Sequence, residues 1–508
     1  MPSLLRASWV RAVAVAVLLA SCATTETKPT PAEPSPDAGQ DSGVLDSGAG
    51  VAPTGTAPEP GPAACGFAST PTAFALPTIP GLATGAFVDA LATQAKCVDG
   101  KPFRFMLRDM DGDLQLDLVV QTDCSDATIG LDAWNVYTNT GAGFANDPKR
   151  FTLPVPHLDP MCAVSTLEDV NGDLKPDFVV TSLCNDATVG TSRWIVYLNG
   201  ATGFGPAAPF ALPPGAVAGA FPSLFENAVC ASGRPGFTFF DIDGDRKDDL
   251  VVTLACDNPQ IGTTAWRVYL GSGSGVAPTP INFPLPTTPV VTVGTYGTTA
   301  GPSGLGCDGT GAKGPVYSVF DVDYDFKPDL VLTQDCTNLK VGTSEWSFYR
   351  NSGAGFAATP SPMALPAITG VPLNAYPTPS APGMCSGAHP IPRYVYLDLD
   401  GNLRGDFLVT HACNDATTGV SKWLLFRDVD GGGFEANATP YALPAALGGS
   451  VASPLGLSGD AACSASPLRP AYTAMTLSHS KRALVETRAC NDTTVGTSKW
   501  LVYEGSCL

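Results

Sequence analysis

The chain has 508 residues, too many for one ordinary core, with 54 glycines, 47 prolines and only 15% charged residues. That composition fits many short strands joined by turns better than long helices. A formal net charge of −19 and a pI of about 4.5 argue against nucleic acid as a partner.

Arg6 and Arg11 precede an apolar run from Ala12 to Ala20, too short to span a bilayer. A basic start with a short apolar core reads as an export signal. The residues Leu19-Ala20-Ser21-Cys22 resemble the bacterial lipobox, in which cleavage before a cysteine leaves that cysteine lipidated. The alternative is an ordinary secretory signal with an incidental cysteine. The resemblance implies a signal peptide over 1–21, lipidation at Cys22 and contact with the membrane through that lipid only. With Ala23 and no aspartate beside the lipid, it implies the outer membrane or cell surface, with a periplasm-facing or secreted protein as alternatives. Residues 22–64 are rich in Pro, Thr, Ala and Gly and nearly lack large apolar side chains. They read as a disordered tether with an end-to-end distance of roughly 35 Å.

From 65 to 508 one unit repeats. Cys124, Cys184, Cys256, Cys336, Cys413 and Cys490 each lie ten residues before a tryptophan: Trp134, Trp194, Trp266, Trp346, Trp423 and Trp500. A common phrase fills the interval, as in NDATVGTSRW (185–194) and NDTTVGTSKW (491–500). Each copy reads as four short strands. In the third copy strand a is FTFF (237–240), b is DLVVTLAC (249–256) and c is WRVYL (266–270); strand d ends in Leu-Pro, as in FTLP (151–154), FALP (210–213) and YALP (441–444). The sixth copy stops after strand c, while GFASTPTAFALP (66–77) at the other end matches GFANDPKRFTLP (143–154). The expected fold is all-β: a six-bladed β-propeller of four-stranded blades, its ring closed by an N-terminal strand that completes the last blade. The tryptophans, one at the same place in every copy, read as packing residues between blades rather than as stacking platforms for a ligand.

With Cys22 assigned to the lipid, 14 cysteines remain. Twelve fall as one pair per copy: Cys97–Cys124, Cys162–Cys184, Cys230–Cys256, Cys307–Cys336, Cys385–Cys413 and Cys463–Cys490. In the second copy Cys162 lies seven residues before Asp169 and Cys184 seven after Asp177, facing positions on an a–b hairpin. Cys65 and Cys507 flank the proposed closure and would staple it. An exported protein permits such bonds, and no CxxC points to a thiolate metal site.

Five loops between strands a and b are acidic: DMDGDLQLD (109–117), DVNGDLKPD (169–177), DIDGDRKDD (241–249), DVDYDFKPD (321–329) and DLDGNLRGD (398–406). Each carries oxygen side chains at positions 1, 3, 5 and 9: Asp109, Asp111, Asp113 and Asp117; Asp169, Asn171, Asp173 and Asp177; Asp241, Asp243, Asp245 and Asp249; Asp321, Asp323, Asp325 and Asp329; Asp398, Asp400, Asn402 and Asp406. Converging carboxylates repel unless a cation holds them, and hard oxygen donors suit Ca²⁺. The expectation is up to five structural calcium ions, weighed against solvated acidic turns. The sixth copy, TLSHSKRALVET (476–487), has lost the acids, with Ala483 at position 9, and is expected to hold no ion.

This pattern resembles the FG-GAP/VCBS repeat family, calcium-loop β-propellers that include the heads of integrin α-subunits. The resemblance covers 65–507 and implies ligand roles for positions 1, 3, 5 and 9. The family glycine at position 6 is replaced by Leu114, Leu174, Arg246, Phe326 and Leu403, and four loops carry glycine at position 4 instead. The fourth has Tyr324 there and no glycine, so it is expected to bind most weakly. The d–a connections vary most in length and share a face opposite the acidic loops, where binding usually sits. Only His157, His389, His411 and His479 are present, without a nucleophile or metalloprotease motif. The functional expectation is a monomeric, surface-anchored binding or adhesion module for a glycan or surface protein. The alternatives are a polysaccharide lyase or hydrolase on the same scaffold, and a structural envelope lipoprotein.

Overall fold

The fold is that of a computed structural model, and the structure describes residues 65–507 apart from 89–94, 155–162, 288–293, 300–314, 336, 369–374, 382, 384, 386–390, 403, 448, 450–454, 462, 464–467, 469 and 479–480. The signal segment 1–21, Cys22 and the tether 22–64 lie outside the described residues. So do Cys162, Cys307 and Cys336, and with them the pairs Cys162–Cys184 and Cys307–Cys336.

The described chain is built of strands, in sheets of mostly four or five, with no α-helix among the described residues. The third unit shows the pattern. Strands a (Gly236–Phe240), b (Asp249–Leu254), c (Ala265–Tyr269) and d (Ile281–Pro284) lie in sequence order and pair antiparallel. Strand b is a continuous apolar run because both of its faces are covered. Leu250 and Val252 enter a cluster with Trp194 and Phe237, while Val251 enters another with Trp266 and Tyr317. Burying each such side chain contributes about 1.5–3 kcal/mol. Strand d alternates instead, with one inward residue in each copy: Phe151, Phe210, Phe283, Met363, Tyr441 and, at the N-terminus, Phe74.

Three details differ from the expectation. The d strands stop two residues before the end of their Leu-Pro motifs, at Lys149–Thr152, Ala208–Ala211 and Thr439–Ala442. There the leucine N–H turns away to the carbonyls of Asp132, Ser192 and Ser421, and the proline has no N–H to continue the ladder. Units one, three, five and six add a two-residue strand outside strand a. Units five and six share one eleven-stranded sheet. The cause is Cys65–Phe67, which pairs in parallel with Thr439–Ala442 of unit five and antiparallel with Lys499–Cys507 of unit six. Next to it Thr72–Ala75 pairs antiparallel with the same last strand, from Thr72 opposite Val502 to Ala75 opposite Lys499, in the place of a strand d.

Six apolar clusters each lie between consecutive units, and one joins Val485 and Trp500 of unit six to Phe105 and Leu118 of unit one. The backbone repeats this pattern. Phe144, Phe204, Val276, Phe356 and Phe434 donate their N–H to strand d of the preceding unit, at Ala75, Thr152, Ala211, Pro284 and Ala364. The residue before each is glycine because the strands approach so closely: a Cβ on Gly203 would lie 2.8 Å from that of Thr152. The tryptophans are buried. Five of them, Trp194, Trp266, Trp346, Trp423 and Trp500, donate their indole N–H to Phe221, Tyr296, Tyr376, Leu455 and Phe87, each in the connection that leaves strand d. They therefore lock the connections to the sheets and present no ring for stacking.

Antiparallel order places the a–b loops and c–d turns at one end of the strands and the b–c and d–a connections at the other. Cys97–Cys124, Cys230–Cys256, Cys385–Cys413 and Cys463–Cys490 are bonded at the second end, and Cys65–Cys507 at the first. Five disulfides among the described residues fit an extracytoplasmic compartment. Among the described residues no helix is long and apolar enough to cross a membrane.

Candidate metal centres

Each acidic loop is wound around its first aspartate. One carboxylate oxygen of Asp109, Asp169, Asp241 and Asp321 accepts the position-4 N–H and the other the position-6 N–H, at 2.7–3.0 Å. Asp398 accepts the Gly401 N–H in the same way, while Leu403 is outside the described residues. This winding needs left-handed backbone at both positions. At position 4 glycine supplies it in four loops, with φ of 79–82°. A Cβ at Gly172 would also lie 2.6 Å from the carbonyl oxygen of Arg246 in the next loop. Position 6, glycine in the resembled family, keeps the left-handed conformation with Leu114, Leu174, Arg246 and Phe326 at φ of 65–70°, at a cost of about 1–2 kcal/mol each. The replaced glycine thus leaves the turn conformation intact. Tyr324, at φ 65°, extends to the next loop and accepts the Gly405 N–H at 3.0 Å.

The ninth residue ties the loop to its sheet. Asp117, Asp177, Asp249, Asp329 and Asp406 are essentially fully buried. One oxygen of each accepts the N–H of position 2 and the other the N–H of the residue 22 further on, at 2.6–3.4 Å. At that downstream residue Asn139, Asn199 and Asn351 donate their amide to the position-2 carbonyl of the preceding unit, Leu477, Met110 and Ile242. Burial is the main cause that raises the ninth carboxyl, to about 7 in Asp117, Asp249 and Asp329, about 6 in Asp177 and about 8 in Asp406. Repulsion from the other loop acids adds to it. An ionised set in this place is held at a cost that a cation would offset.

The structure brings positions 1, 3 and 9 together in three loops. Oxygens of Asp109, Asp111 and Asp117, of Asp241, Asp243 and Asp249, and of Asp398, Asp400 and Asp406 lie within 4.8 Å of one another. In the fourth loop the convergent set is Asp321, Asp323 and Asp325. Position 5 accepts the N–H of position 7 in all five loops, but Asp113, Asp173, Asp245 and Asn402 are exposed where Asp325 is half-buried. The second loop has Asn171 at position 3, so no three carboxylates gather there. In the sixth unit Ala483 stands opposite Met475 on the a–b hairpin, and the neighbouring Arg482 donates from Nε to the Asp398 carbonyl at 2.9 Å. The donor sets fit calcium. They are hard oxygens without thiolate or imidazole, and Asp323 Oδ1, buried in the fourth loop, has no hydrogen-bond partner.

Sequence reading missed the asparagine clasp, although a fixed interval of 22 residues after position 9 signals it. It also missed Arg350 and Arg427, which reach Asp323 and Asp400, because nothing in the loops announces them. At the opposite end of the strands, His411 lies beside the Cys385–Cys413 bond, 3.6 Å from Cys385 Sγ; the other three histidines are outside the described residues.

No family model matches the chain, and no curated protein is detectably similar to it. Solved structures with a similar arrangement include the Tc holotoxin pore of Photorhabdus luminescens, at 14% identity and a TM-score of 0.44. That alignment covers 88% of this chain but only 15% of the toxin chain. A lectin of Agrocybe aegerita that recognises non-reducing terminal N-acetylglucosamine is 14% identical over 76% of this chain and 74% of its own, with a TM-score of 0.39. The Dos1 propeller is 8% identical over 87% of this chain and 94% of its own, with a TM-score of 0.28.

Proposed function

We propose that this chain is a calcium-stabilised binding module of the bacterial cell surface, a closed ring of six blades of the FG-GAP/VCBS type on a lipid-anchored tether. The observation that carries the metal reading is the convergence of buried carboxylates in the a–b loops. The pairing of Thr72–Ala75 with the last strand, and the apolar cluster between units six and one, support closure. The ions are structural. They fix one end of the strands, as the four disulfides within units fix the other, and leave the d–a connections as the variable surface for a glycan or a surface protein. The module acts by binding and not by catalysis.

A glycan and polymer array, run on the unlipidated protein in calcium and in EDTA, tests this. Retention of a polymer class in calcium but not in EDTA is the expected result. Cleavage of an arrayed polymer would overturn the binding reading in favour of an enzyme. A blank array from folded, calcium-loaded protein would remove the glycan and leave a protein partner or a structural role in the envelope.

A further inference from the structure

The acidic loops differ in what faces position 3. Positions 1 and 9 spend both oxygens on backbone N–H groups, while position 3 spends at most one, as Asp400 does on the Asn402 N–H at 3.2 Å, so the third residue is the carboxylate most available to an ion. The side chain that reaches it comes from the residue just after strand c. In units one to three that residue is Thr138, Leu198 and Leu270; in units four and five it is Arg350 and Arg427. Arg350 Nη2 lies 2.7 Å from Asp323 Oδ2, and the Asp323 side chain is only 9% exposed. Arg427 Nε lies 3.5 Å from Asp400 Oδ2, whose side chain is 13% exposed. Arg427 is itself held in place: Nη2 donates to Cys65 Sγ at 2.6 Å, and Nη1 lies 3.8 Å from Glu435. The first loop has nothing comparable, since Lys149 stands 3.9 Å from Asp111 with both side chains open to water.

We propose that Arg350 and Arg427 are internal competitors for calcium, holding the third carboxylate of loops four and five until an ion displaces them. The inference rests on the calcium reading above and goes beyond it. In loop five one positive charge against three converging carboxylates removes a third of the attraction for the ion; in loop four Lys327 Nζ already stands 3.2 Å from Asp325 Oδ2, and Arg350 adds a second cation to the set. Calcium affinity follows ligand charge, so the expected effect is on the order of tenfold weaker binding at each of the two loops. The arginines do not serve the fold alone, because units two and three place leucine at the same point of the same strand.

The test is equilibrium dialysis of calcium against the disulfide-bonded protein, comparing wild type with Arg350→Leu, Arg427→Leu, Arg350→Lys and Lys149→Leu. Each arginine-to-leucine change imports the side chain of units two and three and is expected to tighten one site by roughly tenfold. Arg350→Lys keeps the charge and is expected to leave that site weak, and Lys149→Leu to change no site. Should Arg427→Leu disturb the Cys65 end of the fold, Arg350→Leu alone decides. Calcium binding unaltered by Arg350→Leu overturns the inference and leaves the calcium reading standing. No bound calcium in any variant overturns both.

Discussion

Asp249 does two jobs, and an asparagine in its place separates them. Its carboxylate accepts the Gly271 N–H at 2.6 Å and the Ile242 N–H at 3.0 Å, and it belongs to the convergent set of the third loop. Asparagine keeps one acceptor but turns its NH₂ toward the other N–H, and a buried donor left unsatisfied costs about 1–3 kcal/mol. Without calcium at mildly alkaline pH there is a counterweight. Burial holds this carboxyl at about 7 against an ordinary 3.8. At about 1.4 kcal/mol per pKa unit, the neutral side chain escapes a penalty on the order of 4 kcal/mol. The two effects offset to within a few kcal/mol, so Asp249→Asn in EDTA is expected to melt near the wild type or above it. With calcium at a hundred times its dissociation constant the balance shifts. The wild type gains about 2.7 kcal/mol from the ion and the variant does not, so the variant is expected to fall behind the wild type by about 2.7 kcal/mol more in calcium than in EDTA. Thermal melts of both proteins in calcium and in EDTA read the difference directly. An equal drop in the two buffers would mean that Asp249 acts only as a backbone anchor, and the argument for an ion at that loop would fail.

The same burial predicts opposite pH trends with and without calcium. In EDTA the ninth carboxyls, raised to between about 6 and 8, favour the protonated folded state. Their contribution is complete below the unfolded value near 3.8 and is lost as pH rises through 6 to 8, so the melting temperature should fall across that range. Bound calcium favours the ionised form, and the melting temperature should then rise with pH. The opposing group of carboxyls, Asp186 and Asp492, is held at about 2 chiefly by the Thr188 and Thr494 hydroxyls and titrates below this window. Parallel melting curves in the two buffers would count against calcium at these sites. Replacing Cys65 and Cys507 together with serine opens a bridge spanning 442 residues. Loop-closure entropy sets a ceiling of about 6 kcal/mol on that loss. The expected result is a lower melting temperature and early proteolysis next to the termini. Peptide mapping that finds either cysteine as a free thiol in the wild type would refute the pairing.

What was legible in the sequence was whatever repeats at a fixed interval. The C-x9-W spacing gave the units, and the two apolar runs around each acidic loop gave strands a and b, since strands are short and their apolar residues are local. Cys65 and Cys507 were paired by where they stood, at the two ends of one broken unit. What stayed hidden depends on the neighbouring unit. Glycine at position 4 reads as a displaced position-6 glycine, but Gly172 also answers to the Arg246 carbonyl of the next loop, about 260 Å away along an extended chain and 2.6 Å in space from the Cβ that glycine lacks. Strand pairing with the last unit was readable as a missing strand d, but the parallel pairing of Cys65–Phe67 with unit five was not, because no other described strand pairs in parallel with a strand d. Arg350 and Arg427 were passed over for the same reason: they sit outside the motif and become partners of Asp323 and Asp400 only once strand c is laid beside strand b. A repeat sequence therefore announces the part that every copy shares. The departures between copies, where one loop holds leucine and the next arginine, are legible only after folding, and they are where the loops can differ in what they bind.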